Sequence, residues 1–75
     1  MTERIRVRTA RIEAGITQKE AAEKLQISRW TYKDREAHPH KFTMGQAQEL
    51  SKLVNRRMDE LLFLPDDSTF VDFRK

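Results

Sequence analysis

Three groups of residues in this chain have types and spacings that could do chemistry. His38 and His40 form a His-x-His pair, the kind of spacing that can open a metal site. "DELL" (59–62) and "PDD" (65–67) offer neighbouring carboxylates of the sort used in acid–base work. "ISRWTYKDRE" (27–36) gathers Arg29, Lys33, Asp34, Arg35 and Glu36 around the single tryptophan and single tyrosine of the chain. The first two groups lack what their chemistry requires. No third ligand stands at an obvious spacing and there is no cysteine, so the histidines read as polar loop surface beside Pro39. Paired carboxylates need a pocket that shifts their pKa, and nothing at this length builds one. No enzyme, catalytic residue, metal or cofactor is expected.

The third group poses a geometric problem. Residues two apart on a helix point about 200° away from each other, so Trp30 and Tyr32 cannot both face one core. One must be exposed among Arg29, Lys33 and Asp34.

The elements that position this group read as helices, because the apolar spacing is mostly helical and only two glycines and two prolines interrupt it. The pattern predicts a first helix over 3–14, with Ile5, Ala10 and Ile12 inward, Val7 flanking them, and Gly15 as its stop. Arg4, Arg8 and Arg11 would line another face. Thr17 followed by Glu20 is a reciprocal cap that starts a second helix, Gln18 to Leu25, whose inner face is Ala21, Ala22 and Leu25. Ser28 caps a third helix through about Ala37. "HPHKF" is a loop. Thr43 with Gln46 starts a fourth helix, with Met44, Ala47, Leu50 and Leu53 or Val54 inward and Asn55 ending it. A short fifth helix is predicted from Met58 to Phe63, and "DDSTFVDFRK" reads as a tail.

Composition narrows the function classes. At 75 residues the chain is a single small domain that buries only about 60% of its unfolded surface. A thin core, with room for a partner chain to complete it, is expected from 37% hydrophobic and 36% charged residues. The absence of cysteine and of any long apolar run points to an intracellular, cytoplasmic protein without a signal peptide or membrane span. Residues 1–57 carry thirteen Lys/Arg against seven Asp/Glu, while 58–75 carry two against five. The basic part suits a polyanion and the acidic end does not, although a charge run also serves as an ordinary solvated face.

Two short helices joined by the turn "QIS", the first with small residues, form the supersecondary pattern of a helix-turn-helix at 17–37. Residues 15–36, "GITQKEAAEKLQISRWTYKDRE", resemble the Cro and phage-repressor (Xre-like) helix-turn-helix family. The matching features are Gly15-Ile16-Thr17-Gln18, Ala22, Leu25, Ile27-Ser28, Thr31-Tyr32, Glu36, "FTMGQAQELSKLVN" and "MDELLF". The wording of "FTMGQAQELSKL" and "FLPDDST" is similar to small phage or prophage regulators of Gram-positive bacteria. The resemblance implies an all-α, five-helix lambda-repressor-like DNA-binding domain over 1–64, with a C-terminal tail at 65–75.

It also implies roles for particular residues. The third helix would enter the major groove, with Ser28, Arg29, Trp30, Lys33 and Asp34 at base edges. These positions share one side of the helix except for Ser28 at the cap. Arg29 has the chemistry to read guanine, Asp34 to accept from a cytosine amino group, and Trp30 to pack on thymine methyls. Phosphate contacts would come from the second-helix start with Gln18, from Thr31 at the border of the reading face, and from the loop with Lys41, His38 and His40. Lys41 reads equally as a solvated loop lysine. Arg11 and Glu36 match a structural salt bridge between the first helix and the end of the third. Family register turns Tyr32 inward against Ala21, Ala22 and Leu25, and Trp30 outward.

The sequence departs from the family pattern in three places. Gln26 stands where glycine is usual, so it is left-handed or the turn differs. Ala21 replaces a larger aliphatic residue and leaves room for Tyr32. Arg35 replaces a buried apolar residue and must reach outward or pair with an acid. Leu61, Leu62, Phe63, Leu64, Phe70 and Phe73 exceed what one small core can use, so they either fold back or form a dimer interface. The functional expectation is a sequence-specific DNA-binding transcriptional regulator, a Cro-like repressor acting as a homodimer on a double-stranded operator. The alternatives are a protein-interaction module, such as an antirepressor that seizes a partner repressor, and an antitoxin-type regulator.

Overall fold

In a computed structural model that describes residues 4–63, three of the four helices start at a side-chain cap written in the sequence. The order is strand β1 (Ile5–Arg6), helices α1 (Val7–Glu13), α2 (Gln18–Leu25) and α3 (Arg29–Ala37), a 3-10 turn at Pro39–Lys41, α4 (Met44–Leu53), a second 3-10 turn at Met58–Glu60, and strand β2 (Leu61–Leu62). Thr17 Oγ1 accepts from the Glu20 amide at 3.0 Å while Glu20 Oε1 accepts from the Thr17 amide at 2.8 Å. Thr43 and Gln46 repeat the exchange at α4, at 3.1 and 3.0 Å. Ser28 Oγ accepts from the Thr31 amide at 2.9 Å and opens α3. Each cap contributes about 1 kcal/mol by satisfying amides that a helix start leaves without partners.

Three helices close alike. After α1, α2 and α4 the chain passes through a left-handed residue: Gly15 at φ +74°, Gln26 at φ +61° and Asn55 at φ +58°. In each case two amides fold back onto the last turn, as in Gln26 to the Glu23 carbonyl at 3.1 Å and Ile27 to the Ala22 carbonyl at 3.0 Å. Gln26 therefore adopts the glycine-like conformation itself. For a residue with a Cβ this costs roughly 1–2 kcal/mol.

The core is built from Val7 and Ala10 of α1, Ala21, Ala22 and Leu25 of α2, Tyr32 of α3, Leu50 and Val54 at α4, and Leu61 of β2. Phe42 bridges the Tyr32 and Phe63 rings, with centroids 6.0 Å from each. The alanines of α2 let α3 approach closely enough for the Tyr32 side chain to be wholly enclosed.

Four expectations are corrected. Residues 58–63 are not a fifth helix: one 3-10 turn is followed by an extended pair, in which Leu61 and Leu62 align parallel with Ile5 and Arg6. A six-residue helix is marginal in water, whereas the extended form lets the two segments satisfy each other's backbone groups. The same pairing takes Ile5 and Arg6 out of α1, which starts at Val7 rather than residue 3. Its inward stripe is accordingly Val7, Ala10 and Arg11, and Ile12 is 54% exposed instead of buried. Met44, the first residue of α4, precedes the stripe of Ala47, Leu50 and Val54 and is 68% exposed.

Candidate nucleic-acid interface

The geometry of α3 follows from a buried charge at its end. Glu36 lies four residues after Tyr32, on the same helix face, and its carboxylate collects every donor within reach. Oε2 accepts from Arg11 Nε at 2.7 Å and from the Tyr32 hydroxyl at 2.7 Å. Oε1 accepts from Gln18 Nε2 at 2.9 Å and from Arg11 Nη2 at 3.3 Å. Arg11 Nη1 donates to the Ile16 carbonyl at 2.7 Å. The Arg11–Glu36 pair thus joins α1, the turn after it, α2 and α3. Burial alone pushes the Glu36 carboxyl upward, but hydrogen bonds from Arg11, Tyr32 and Gln18 outweigh it and hold the group below its ordinary value. For Tyr32, burial and the bond to Glu36 both push the phenol well above its ordinary value of 10.0. Burial lowers the Arg11 guanidinium, but the hydrogen bond and negative charge of Glu36, together with Tyr32, outweigh it and hold the group above its ordinary value.

With Tyr32 and Glu36 fixed inward, the opposite side of α3 is presented to solvent. Trp30 is 76% exposed and Tyr32 fully buried, so the two aromatic residues divide as the family register implies. Arg29 and Lys33 are exposed beside Trp30, and Asp34 is half-buried. Ser28 is exposed at the cap, and its hydroxyl donates to Thr31 Oγ1 at 2.8 Å. Thr31 is half-buried at the edge of the face.

The residues expected at phosphates fall in three places. Gln18 begins α2, but its side-chain amide is engaged by Glu36, so an anion there would meet the backbone amides of the helix start rather than the side chain. Lys41 is exposed in the Pro39–Lys41 turn, with Nζ 3.7 Å from Asp34 Oδ2. His38 and His40 are exposed with their rings edge to face, and line a cleft of about 490 Å³ together with Arg6 and Arg8. Among the described residues no three His, Asp or Glu side chains come together in a way that could hold a metal ion.

Of the residues expected at a dimer interface, Leu61 is 2% exposed inside the domain's own core, held there by the β1–β2 pairing. Leu62 and Phe63 are half-buried, the latter against Phe42. Leu64, Phe70 and Phe73 lie outside the described residues, as does the 64/65 boundary expected between domain and tail.

Sequence reasoning did not foresee two arrangements. Arg35 pairs with an acid, one of its two expected outcomes, with Nη1 3.5 Å from Asp34 Oδ2, but its Nε is buried with no partner among the described residues, which was not expected. Glu36 was matched only with Arg11, although the i, i+4 spacing of Tyr32 and Glu36 already signalled their hydrogen bond. The involvement of Gln18 has no local signal, because eighteen residues separate it from Glu36.

The sequence profile of the helix-turn-helix family matches residues 7–61, well over half of the chain. The matched span begins with α1 and ends in β2, so it includes the Arg11–Glu36 network and the whole exposed face of α3. The chain belongs to the helix-turn-helix family, a family of DNA-binding regulators. No curated protein and no solved structure matches it significantly. Among the described residues no helix is long and apolar enough to cross a membrane.

Proposed function

We propose that this protein is a sequence-specific transcriptional regulator, a Cro-like repressor of phage or prophage type that acts in the cytoplasm as a homodimer on a palindromic operator. The observation that carries the reading is the division of α3. Its inner side is tied by Glu36 to two other helices, α1 and α2, while Arg29, Trp30 and Lys33 stand exposed in its first turns. A helix held rigidly at one end with cationic and aromatic side chains at the other suits insertion into the major groove.

Arg29 donates to guanine O6 and N7, Lys33 to acceptors further along the groove, and Trp30 covers thymine methyls. Ser28 and Thr31 sit where the groove wall approaches. The amides at the start of α2, with Lys41, His38 and His40, fix the register on the phosphates. The dimer is assembled from Leu62, Phe63 and the apolar residues that follow, including Leu64, Phe70 and Phe73. It places two α3 helices about one DNA turn, roughly 34 Å, apart. Repression follows from occupancy of the promoter, with no catalysis.

The test is a mobility-shift titration with DNA flanking the protein's own gene, run at stepped salt concentrations. The expected result is a discrete complex whose affinity falls steeply with salt. Absence of binding at every salt concentration overturns the reading. The exposure of Trp30 beside Arg29 favours one second reading, since Trp and Arg are common binding hot spots between proteins. On that reading α3 docks on a partner repressor, as in an antirepressor. Co-purification of a neighbouring repressor, lost in Trp30→Ala and unaccompanied by DNA binding, would favour it. Co-purification of a toxin with DNA binding retained would mark an antitoxin.

A further inference from the structure

Asp34 is an unexpected residue on a surface meant for phosphates, and its surroundings give it a role other than static base reading. Its Oδ2 lies 3.7 Å from Lys41 Nζ and 3.5 Å from Arg35 Nη1. Lys41 belongs to the turn after α3, so this ion pair joins the expected base-reading residue to the expected phosphate-contacting one. Glu36, the other acid of α3, is matched by Arg11 in the interior. Asp34 is therefore the one carboxylate of α3 that can answer to DNA. Its side chain is 30% exposed and that of Lys41 48%. A half-exposed pair of this kind is weak and is easily exchanged for another partner.

Resting on the DNA-binding reading, we propose that Asp34 and Lys41 form a partner-exchange pair that raises sequence specificity. Lys41 cannot stay at Asp34 and also neutralise a phosphate. When it leaves, Asp34 loses a cation and faces a polyanion with only Arg35 beside it. At the correct sequence a cytosine N4 amino group in the major groove replaces Lys41 as the donor to Asp34. The exchange is then balanced: lysine to phosphate, carboxylate to base. Where guanine or thymine edges face it, the carboxylate finds no amino donor, so Lys41 stays with it and one phosphate contact is not made. Asp34 thus discriminates by penalising wrong sites as well as by attracting the right one.

The experiment uses the full chain with two duplexes: one selected from a random-sequence pool by the wild-type protein, and a scrambled version of it. Affinities are measured across a salt series for wild type, Asp34→Asn and Lys41→Met. Circular dichroism melts check that all three are equally folded. Each phosphate neutralised contributes about −0.9 to the slope of log K against log salt. Asp34→Asn is expected to bind the scrambled duplex several-fold more tightly, with a slope steeper by about 1. Its lost discrimination should map to a single C·G pair when the selected duplex is mutated position by position. Lys41→Met is expected to flatten the slope on the selected duplex by about 1 and leave the scrambled slope unchanged. Selective wild-type binding combined with an unaltered scrambled slope in Asp34→Asn, or with equal flattening of both slopes in Lys41→Met, overturns the exchange alone. Failure of wild type to select any duplex overturns the DNA-binding reading and the exchange with it.

Discussion

Glu36 illustrates how one residue can serve a surface it does not belong to. Its four hydrogen bonds hold the inner side of α3, and the outer side is exposed as a result. The sign of its titration follows from its lowered pKa. The stabilisation is fully present above the ordinary value of 4.5 and is lost as pH falls below that value through the folded-state pKa. Tyr32 acts at the other end of the scale. Its raised pKa means that its stabilisation is intact below 10.0 and fades at higher pH. Melting temperature against pH should therefore show a plateau bounded by an acid and an alkaline limb. Glu36→Gln should weaken the acid limb and, by leaving Arg11 buried and unmatched, cost roughly 3–5 kcal/mol in denaturant unfolding. The two aromatic residues separate folding from binding. Tyr32→Ala should cost about 3–5 kcal/mol of stability, because it empties a fully enclosed site. Trp30→Ala should leave the melting temperature nearly unchanged and weaken the complex. Intrinsic fluorescence of the single tryptophan should be solvent-like in the free protein and shift on adding operator. The Trp30–Tyr32 choice marks where periodicity stops: it says that one is outside, and it takes the family register, with Ala21 and Ala22 of α2 facing Tyr32, to say which.

At the scale of the element, legibility followed local chemistry. α2, α3 and α4 begin where Thr17, Ser28 and Thr43 place them, because a cap needs only a hydroxyl and the amides two or three residues on. The segments at both ends of the described chain differ from the helices their spacing predicts, for the opposite reason. Ile5–Arg6 and Leu61–Leu62 are extended only because each finds the other, across more than fifty residues. No window of sequence contains that information. Misplacing the start of α1 then shifted its inward stripe and exchanged Ile12 for Val7. Gln26 offers a test of the turn inside the helix-turn-helix. Gln26→Gly removes the left-handed penalty at a position that already carries the glycine conformation, φ +61°. It should raise stability by about 1 kcal/mol, read as a higher denaturant midpoint at unchanged m-value, with operator affinity unaltered.

The molecule as a whole divides into a basic body and an acidic end, +6 over residues 1–57 and −3 over 58–75. Its association should follow that asymmetry, so the on-rate for DNA should fall steeply with ionic strength. Sedimentation equilibrium tests the proposed dimer: mass should approach twice 8.9 kDa as protein concentration rises, and twice 8.9 kDa plus the mass of the duplex when operator is added. A single protomer under both conditions would remove the dimer. The parallel pairing of β1 with β2 also sets the order of assembly. The α2–α3 unit needs only neighbouring residues to meet, whereas Ile5 and Leu61 must close almost the full length of the described chain. Loop closure at that separation carries its entropic cost before any contact repays it, so the bridge should form after the folding transition state. Leu61→Ala should then accelerate unfolding and leave the folding rate nearly untouched, while Ala22→Gly should slow folding. Hydrogen exchange should then find the amides of the bridge to be the first protected groups to exchange with solvent. The same closure that completes the core is thus the place where the native state is expected to open first.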